Sequence, residues 1–501
     1  MGGICMTART FRAIASAFLV LILLSSSAHS EETTMYLKDI PLTPLASYKK
    51  TGEFNPLYTQ RFGADPGVME YGGRLYVYMT DDVVEYDLSG AVKENTYSKI
   101  RTINCISSDD LVNWTDHGQI KVAGPSGAAK WAGNSWAPCA AHKTVDGKEK
   151  FFLYFCNGGN GIGVLTADSP TGPWTDELGK ALIDRSVPNC ADVLWLFDPA
   201  VMVDDDGTGY LAFGGGVPDG KQAAPGTGRI VRLGEDMISL DCDPVRLDIP
   251  WLFEDSGINK VGDKYVYSYC SNWQTEGNSL KLTSGAIEYM TSDDPLGPYT
   301  YAGELFPNEG KFFGMWGNNH HSIACLDGKY YLFYHNRPVE KAMGISGNYR
   351  SPQIDKIYLS DDGSFRQVVG TMKGVAQLKP FDPYRPVSAC TMSHEAGIAV
   401  YDSNLGPFVK AVPESWIRIS GVDFQSGSEG LRIRALSKNG GKVYVLRRSL
   451  SSPVAAIIEI PAGNQSAEYE AAFQASGIND LYFVFDGDIS FFGWEAAPAK
   501  N

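Results

Sequence analysis

The chain is short of positive charge: 43 lysines and arginines stand against 58 aspartates and glutamates, a formal charge of −15. Binding to nucleic acid draws on a cationic excess that displaces counterions from phosphate, so this balance argues against that partner and against an anionic membrane surface. Metal-type cysteine pairs are missing as well. Nine cysteines are scattered without one CxxC, which speaks against a zinc site. Long helical periodicity is absent, and after residue 30 no apolar run is long enough for a membrane-spanning helix. What is present suits a soluble globular protein, with 44% hydrophobic and 20% charged residues. At 501 residues, two or three structural units are expected.

The first 30 residues read as a signal peptide. Arg9 and Arg12 precede an apolar run from Ala13 to Leu24, and a polar stretch ends at Ala28-His29-Ser30 with small residues where a signal peptidase reads. Secretion, or export to a periplasm, is the expectation. Cys5 leaves with the signal. Of the remaining eight, Cys156, Cys270 and Cys325 sit in or beside apolar strand-like runs, and mostly free thiols are expected.

A repeat runs through residues 60 to 370. A short apolar segment, a Gly or Asp turn and an aromatic strand recur five times, opening at Asp65-Pro66-Gly67-Val68, Trp136-Ala137-Pro138, Asp198-Pro199-Ala200-Val201, Glu254-Asp255-Ser256-Gly257 and His320-His321-Ser322. A second hairpin signature follows three copies, at Ser108-Asp109-Asp110, Ala167-Asp168-Ser169 and Ser292-Asp293-Asp294. Two hairpins make a four-stranded blade, so the pattern predicts an all-β, five-bladed β-propeller over 31–380. In such a ring the first strand of each blade lines the axis. Asp65, Trp136, Asp198, Glu254 and His320 are then expected to occupy equivalent openings and to converge at one end.

Glycosidic hydrolysis needs a carboxylic acid to protonate the departing oxygen and a second carboxylate to activate water or attack the sugar. A third can raise the acid's pKa by like-charge repulsion. Ala64-Asp65-Pro66-Gly67-Val68, Phe197-Asp198-Pro199-Ala200-Val201 and Phe253-Glu254-Asp255-Ser256-Gly257 resemble, in that order, the motifs of glycoside hydrolase family 43. That resemblance implies an inverting enzyme in which Asp65 is the general base, Glu254 the general acid and Asp198 the residue that tunes and orients the acid. Many members carry Glu-Gly-Pro at the acid, where this chain has Glu254-Asp255-Ser256. The resemblance further implies Trp136 in the sugar pocket, Arg350 in contact with substrate and base, and His320 on the axis near a structural calcium ion, with no organic cofactor.

Lys379 to Pro386 read as a domain boundary, and short alternating runs beyond it predict a β-sandwich over 387–501. Trp416 to Phe424 and Leu481 to Trp494 resemble a family 6 carbohydrate-binding module. Two of that family's sugar contacts are missing: Ala467-Glu468-Tyr469-Glu470 holds no Trp, and no Asn stands near Ser490. The whole reads as an α-L-arabinofuranosidase acting on arabinoxylan or a related wall polysaccharide. A β-xylosidase on the same scaffold and a non-catalytic polysaccharide-binding protein are the alternatives.

Overall fold

The computed structural model describes residues 34–500; the segment read from the sequence as a signal peptide lies outside the described residues. Five β-sheets form the blades of the propeller. Blade 1 holds Ala64–Tyr71, Arg74–Thr80, Thr102–Ser108 and Trp114–Lys121; blade 2 holds Trp136–Val145, Lys148–Cys156 and Ile162–Ala167. Blade 3 holds Ala200–Val203, Gly209–Phe213, Arg229–Arg232 and Val245–Arg246; blade 4 holds Leu252–Val261, Lys264–Ser271, Ile287–Ser292 and Thr300–Phe306. Blade 5 holds His321–Leu326, Lys329–Asn336 and Ser351–Ile357. Three blades have the expected four strands. In blade 2 the outer position shrinks to a bridge between Thr166 and Thr175. No described helix is long and apolar enough to cross a membrane.

The second strand of each blade explains why the repeat is legible. Phe151, Phe152, Leu153, Tyr154 and Phe155 are all 2% exposed or less. A strand packed on both faces reads as a continuous apolar run, with no inside–outside alternation to mark it. One face of this strand enters the core shared with blade 1 (Tyr78, Ile103, Leu153, Phe155) and the other the core shared with blade 3 (Phe152, Tyr154, Leu211, Phe213). Trp114 and Val77 of blade 1 meet Phe333 and Tyr331 of blade 5, which closes the ring through side chains.

The inner strands open on a β-bulge, and it shifts the expected equivalence. Pairing jumps from Ala64 to Gly67, from Trp136 to Cys139 and from Glu254 to Gly257. Ala64, Trp136 and Glu254 therefore share one position, and Asp65, Ala137 and Asp255 share the next. Asp65, Ala137, Asp198 and Asp255 all have left-handed φ, between 39° and 66°. Glu254 is thus not the counterpart of Asp65 and Asp198; Asp255 is. Bulges of this kind re-aim side chains next to active sites, and Asp tolerates the left-handed region better than most residues.

The C-terminal unit is one nine-stranded antiparallel sheet folded on itself into a sandwich, with Ile417, Ile419, Val443, Phe483, Phe491 and Trp494 in its core. Phe381 belongs to this core too, and its backbone pairs with Gly421 and Asp423, so the Pro-rich boundary segment is packed. Strand pairing and a covering segment both stitch the sandwich to the propeller. Thr391 and Met392 pair with Thr115 and Trp114 as a fifth strand of blade 1. The segment entering the propeller lies across the sandwich, with Leu37 and Leu42 on Trp416, Tyr444 and Tyr482. The Trp416 indole donates to Leu45 O at 2.8 Å. All eight described cysteines are free thiols.

Candidate active site

Asp65, Trp136, Asp198, Glu254, His320 and Arg350 all line one cavity of about 430 Å³ at an end of the propeller axis. Tyr97, Phe197, Phe253, Trp273, His335 and Arg337 complete most of its wall. Every residue nominated from the sequence is brought together here.

Asp65 is held at both oxygens. Arg350 Nη1 donates to Oδ1 at 2.9 Å, and the Thr80 hydroxyl donates to Oδ2 at 2.7 Å. Thr80 in turn accepts the Ala137 N–H at 2.7 Å, which ties the carboxylate to the bulge of blade 2. The Asp65 N–H donates to His335 Nδ1 at 3.0 Å, leaving Nε2 of the neutral ring to donate to Asn318 O at 2.9 Å. Burial alone would raise the Asp65 pKa. Arg350 first, then His320, overrides it and holds the carboxyl far below the ordinary carboxylate range.

Arg350 is fixed by a residue the sequence reading missed. Asp82 accepts from its Nε at 2.9 Å, its Nη2 at 2.8 Å and its backbone N–H at 3.0 Å. Arg350 also lies over the Tyr97 ring, 5.1 Å from the centroid. The signal available was Asp81-Asp82 directly after the second strand of blade 1.

Glu254 has the opposite setting. Its Oε1 is buried without a hydrogen-bond partner. Burial, then the charge of Asp198, pushes its pKa up to about 8. Asp198 rises to about 7, by burial first; His320 opposes that rise and Asp65 adds to it. The Asp198 backbone N–H donates to Cys156 Sγ at 2.9 Å, and its Oδ2 accepts the Asp255 N–H at 3.0 Å.

His320 stands among these carboxylates. Nδ1 is 3.6 Å from Asp65 Oδ1 and 3.9 Å from Asp198 Oδ2, while Nε2 is 3.1 Å from Asp255 Oδ1. Burial would lower its pKa; Asp255, then Asp65 and Asp198, outweigh that and raise it to about 9. Asp255 also bonds the His321 ring and accepts the His321 N–H at 3.0 Å. The carboxyl read from the sequence as a local departure is thus a fully buried anchor for both histidines.

A calcium ion takes six to eight oxygens. At the expected place His320 offers nitrogen, its two ring nitrogens already face carboxylates, and among the described residues no group of His, Cys, Asp and Glu side chains is arranged so that it could hold a metal ion. These side chains do not fit a protein-held calcium.

The model of "Glycosyl hydrolases family 43" matches residues 54–365. The chain belongs to this family. It is 43% identical over 483 residues to an arabinoxylan arabinofuranohydrolase of Paenibacillus polymyxa, covering 91% of this chain and 76% of that protein. An arabinoxylan arabinofuranohydrolase of Bacillus subtilis (strain 168) is 43% identical over 464 residues, covering 88% and 90%. The crystal structure of a family 43 arabinoxylan arabinofuranohydrolase from Bacillus subtilis, in complex with cellotetraose, superposes with a TM-score of 0.88 at 40% identity. That match covers 91% of this chain and 99% of the other.

Proposed function

We propose that the protein is an inverting α-L-arabinofuranosidase that releases arabinose from arabinoxylan. The carrying observation is the opposed setting of two carboxyls in one cavity. Arg350 keeps Asp65 ionised, as a general base must be, and burial beside Asp198 keeps Glu254 protonated near neutrality, as a general acid must be. Asp65 takes a proton from the attacking water while Glu254 gives its proton to the departing glycosidic oxygen. Asp198 raises the acid's pKa and, through the Asp255 N–H, holds the peptide that carries it. Trp136, whose indole donates to Tyr97 O at 3.0 Å, forms part of the sugar-facing wall. The two arabinoxylan arabinofuranohydrolases matched over most of their length support arabinose over xylose as the released sugar.

The test is product identification from arabinoxylan and from an aryl α-L-arabinofuranoside, with the nascent anomer followed by NMR. Arabinose of inverted configuration is expected. Xylose alone would indicate a β-xylosidase, and binding without cleavage a non-catalytic protein.

The sandwich is proposed to be a carbohydrate-binding-module-like unit. Its aromatic face of Trp416, Tyr444 and Tyr482 is covered by Leu37 and Leu42, so sugar contact falls to another face. Binding of the full-length Glu254→Gln variant to arabinoxylan, with and without a competing short arabinoside that fills the catalytic cavity, tests this. Residual binding under competition is expected. The proposed place of action, from the N-terminal signal, is the periplasm or the medium.

A further inference from the structure

Two tryptophans stay exposed beside the cavity although both are firmly held. Trp316 is 60% exposed and Trp273 is 36% exposed. Large exposed aromatics next to a binding cavity mark a contact surface, because burying them against a ligand recovers hydrophobic free energy.

The Trp316 ring packs directly against a glycine. A Cβ placed on Gly310 would fall 2.4 Å from Trp316 Cδ2, so only glycine admits this seat. The backbone on either side is pinned: Arg337 Nη2 donates to Trp316 O at 2.8 Å and Asn336 Nδ2 to Met315 O at 3.2 Å. Trp273 is wedged likewise against Gly285, whose Cβ would come within 2.9 Å of its ring. One side chain ties the two seats together. The buried Asn308 donates to Gly285 O at 3.1 Å and to Gly317 O at 2.9 Å, and accepts the Gly310 N–H at 2.9 Å. Gly317, Arg337 and Trp273 themselves line the catalytic cavity. Trp316 therefore stands at its rim, preorganised, and has no partner ring among the aromatic pairs of the described residues.

We infer that Trp316 is a stacking platform for the polysaccharide main chain that flanks the sugar held in the cavity, with Trp273 as the inner wall of the same groove. The chemistry fits a neutral, extended pyranose chain: a flat indole offers its face to the C–H side of a sugar ring and asks for no charge. A preorganised ring loses little conformational entropy on binding. This assignment rests on the proposed function and names where the polymer, as opposed to its side-chain sugar, is gripped.

The experiment compares wild type, Trp316→Ala and Trp316→Phe on arabinoxylan and on an aryl α-L-arabinofuranoside too short to reach the rim. In Trp316→Ala the loss of kcat/KM on the polymer is expected to exceed the loss on the aryl glycoside by about tenfold, the size of one good aromatic contact, through KM. Trp316→Phe should recover most of the difference. Equal losses on both substrates, or no loss on either, would overturn the platform. If wild type releases a sugar other than arabinose, the proposed function falls, while the same ratio measured on that sugar's polymer and aryl glycoside still decides the role of Trp316.

Discussion

The backbone N–H of Asp255 donates to Asp198 Oδ2 at 3.0 Å, so the residue that follows the acid in sequence is the one through which Asp198 grips it. Asp198 thereby acts on Glu254 twice, by its negative charge and by holding the 254–255 peptide. Asp198→Asn keeps an acceptor for that N–H and removes only the charge. Because burial and then Asp198 raise Glu254 to about 8, removing the charge should lower that value. The alkaline limb of kcat/KM is expected to move to lower pH, read from a pH–rate profile on the aryl arabinofuranoside. An unmoved limb with a lower maximum would assign Asp198 to positioning alone.

Glu254→Gln should cost about 10²- to 10⁴-fold in kcat, the ordinary weight of a general acid. The loss should be smaller on an aryl glycoside with an acidic leaving group, which needs less protonation, than on arabinoxylan. Steady-state rates on the two substrates check this.

The same substitution should stabilise the fold at alkaline pH. A carboxyl whose folded pKa is raised, from about 4.3 unfolded to about 8, binds a proton more tightly when folded. Its contribution to stability is present below the unfolded pKa and is lost as pH rises between the two values. A neutral amide does not titrate, so Glu254→Gln should gain on wild type progressively from pH 5 to pH 8. Urea denaturation across that range measures it, and a constant difference would contradict the assignment of the pKa.

Most of the site was legible because its motifs are short and local. Asp65-Pro66-Gly67 and Asp198-Pro199-Ala200 announce a bulge and an acid together, and the blade cores announce themselves as unbroken apolar runs such as Phe151 to Phe155. What sequence could not show is the one-residue slip at each bulge. It places Glu254 opposite Cys270, as Ala64 stands opposite Thr80, and gives the axial position to Asp255. Asp82 and Thr80 were missed for a similar reason: their partners Arg350 and Ala137 lie 268 and 57 residues away, and only ring closure brings them together. In the sandwich, alternation revealed the strands but not the covering segment from Leu37 to Leu45, whose apolar residues carry no period.

Arg350→Gln should damage stability and catalysis together. The guanidinium neutralises two buried carboxylates, Asp65 and Asp82, and removing one side of such a buried pair costs about 3–5 kcal/mol. Asp65 has a depressed folded pKa, so its contribution is present above the unfolded value near 4 and fades as pH falls further. The variant's deficit in unfolding free energy should therefore be largest near neutrality and shrink in acid. Its acid limb of kcat/KM should also move up in pH, because Asp65 loses the charge that keeps it ionised.

Deleting residues 387–501 should leave a propeller that does not fold well, although the blades close without it. The sandwich supplies the fifth strand of blade 1 through Thr391 and Met392, and its removal exposes the Trp114–Lys121 edge. It also strips the buried polar partners of that blade. Asn113 Nδ2 donates to Ser420 O at 2.9 Å, Asn113 Oδ1 accepts the Ser420 N–H at 2.8 Å, and Gln377 Nε2 donates to Ser420 O at 3.1 Å. A buried polar group left without its partner costs about 1–3 kcal/mol. Leu37 and Leu42 would lose the Trp416 surface at the same time, leaving the entering segment unanchored. Expression of residues 34–386 should give aggregated or protease-sensitive protein, assayed by size-exclusion chromatography and limited proteolysis. A soluble, monomeric and fully active fragment would mean that blade 1 needs no cover and that the sandwich is a separable appendage.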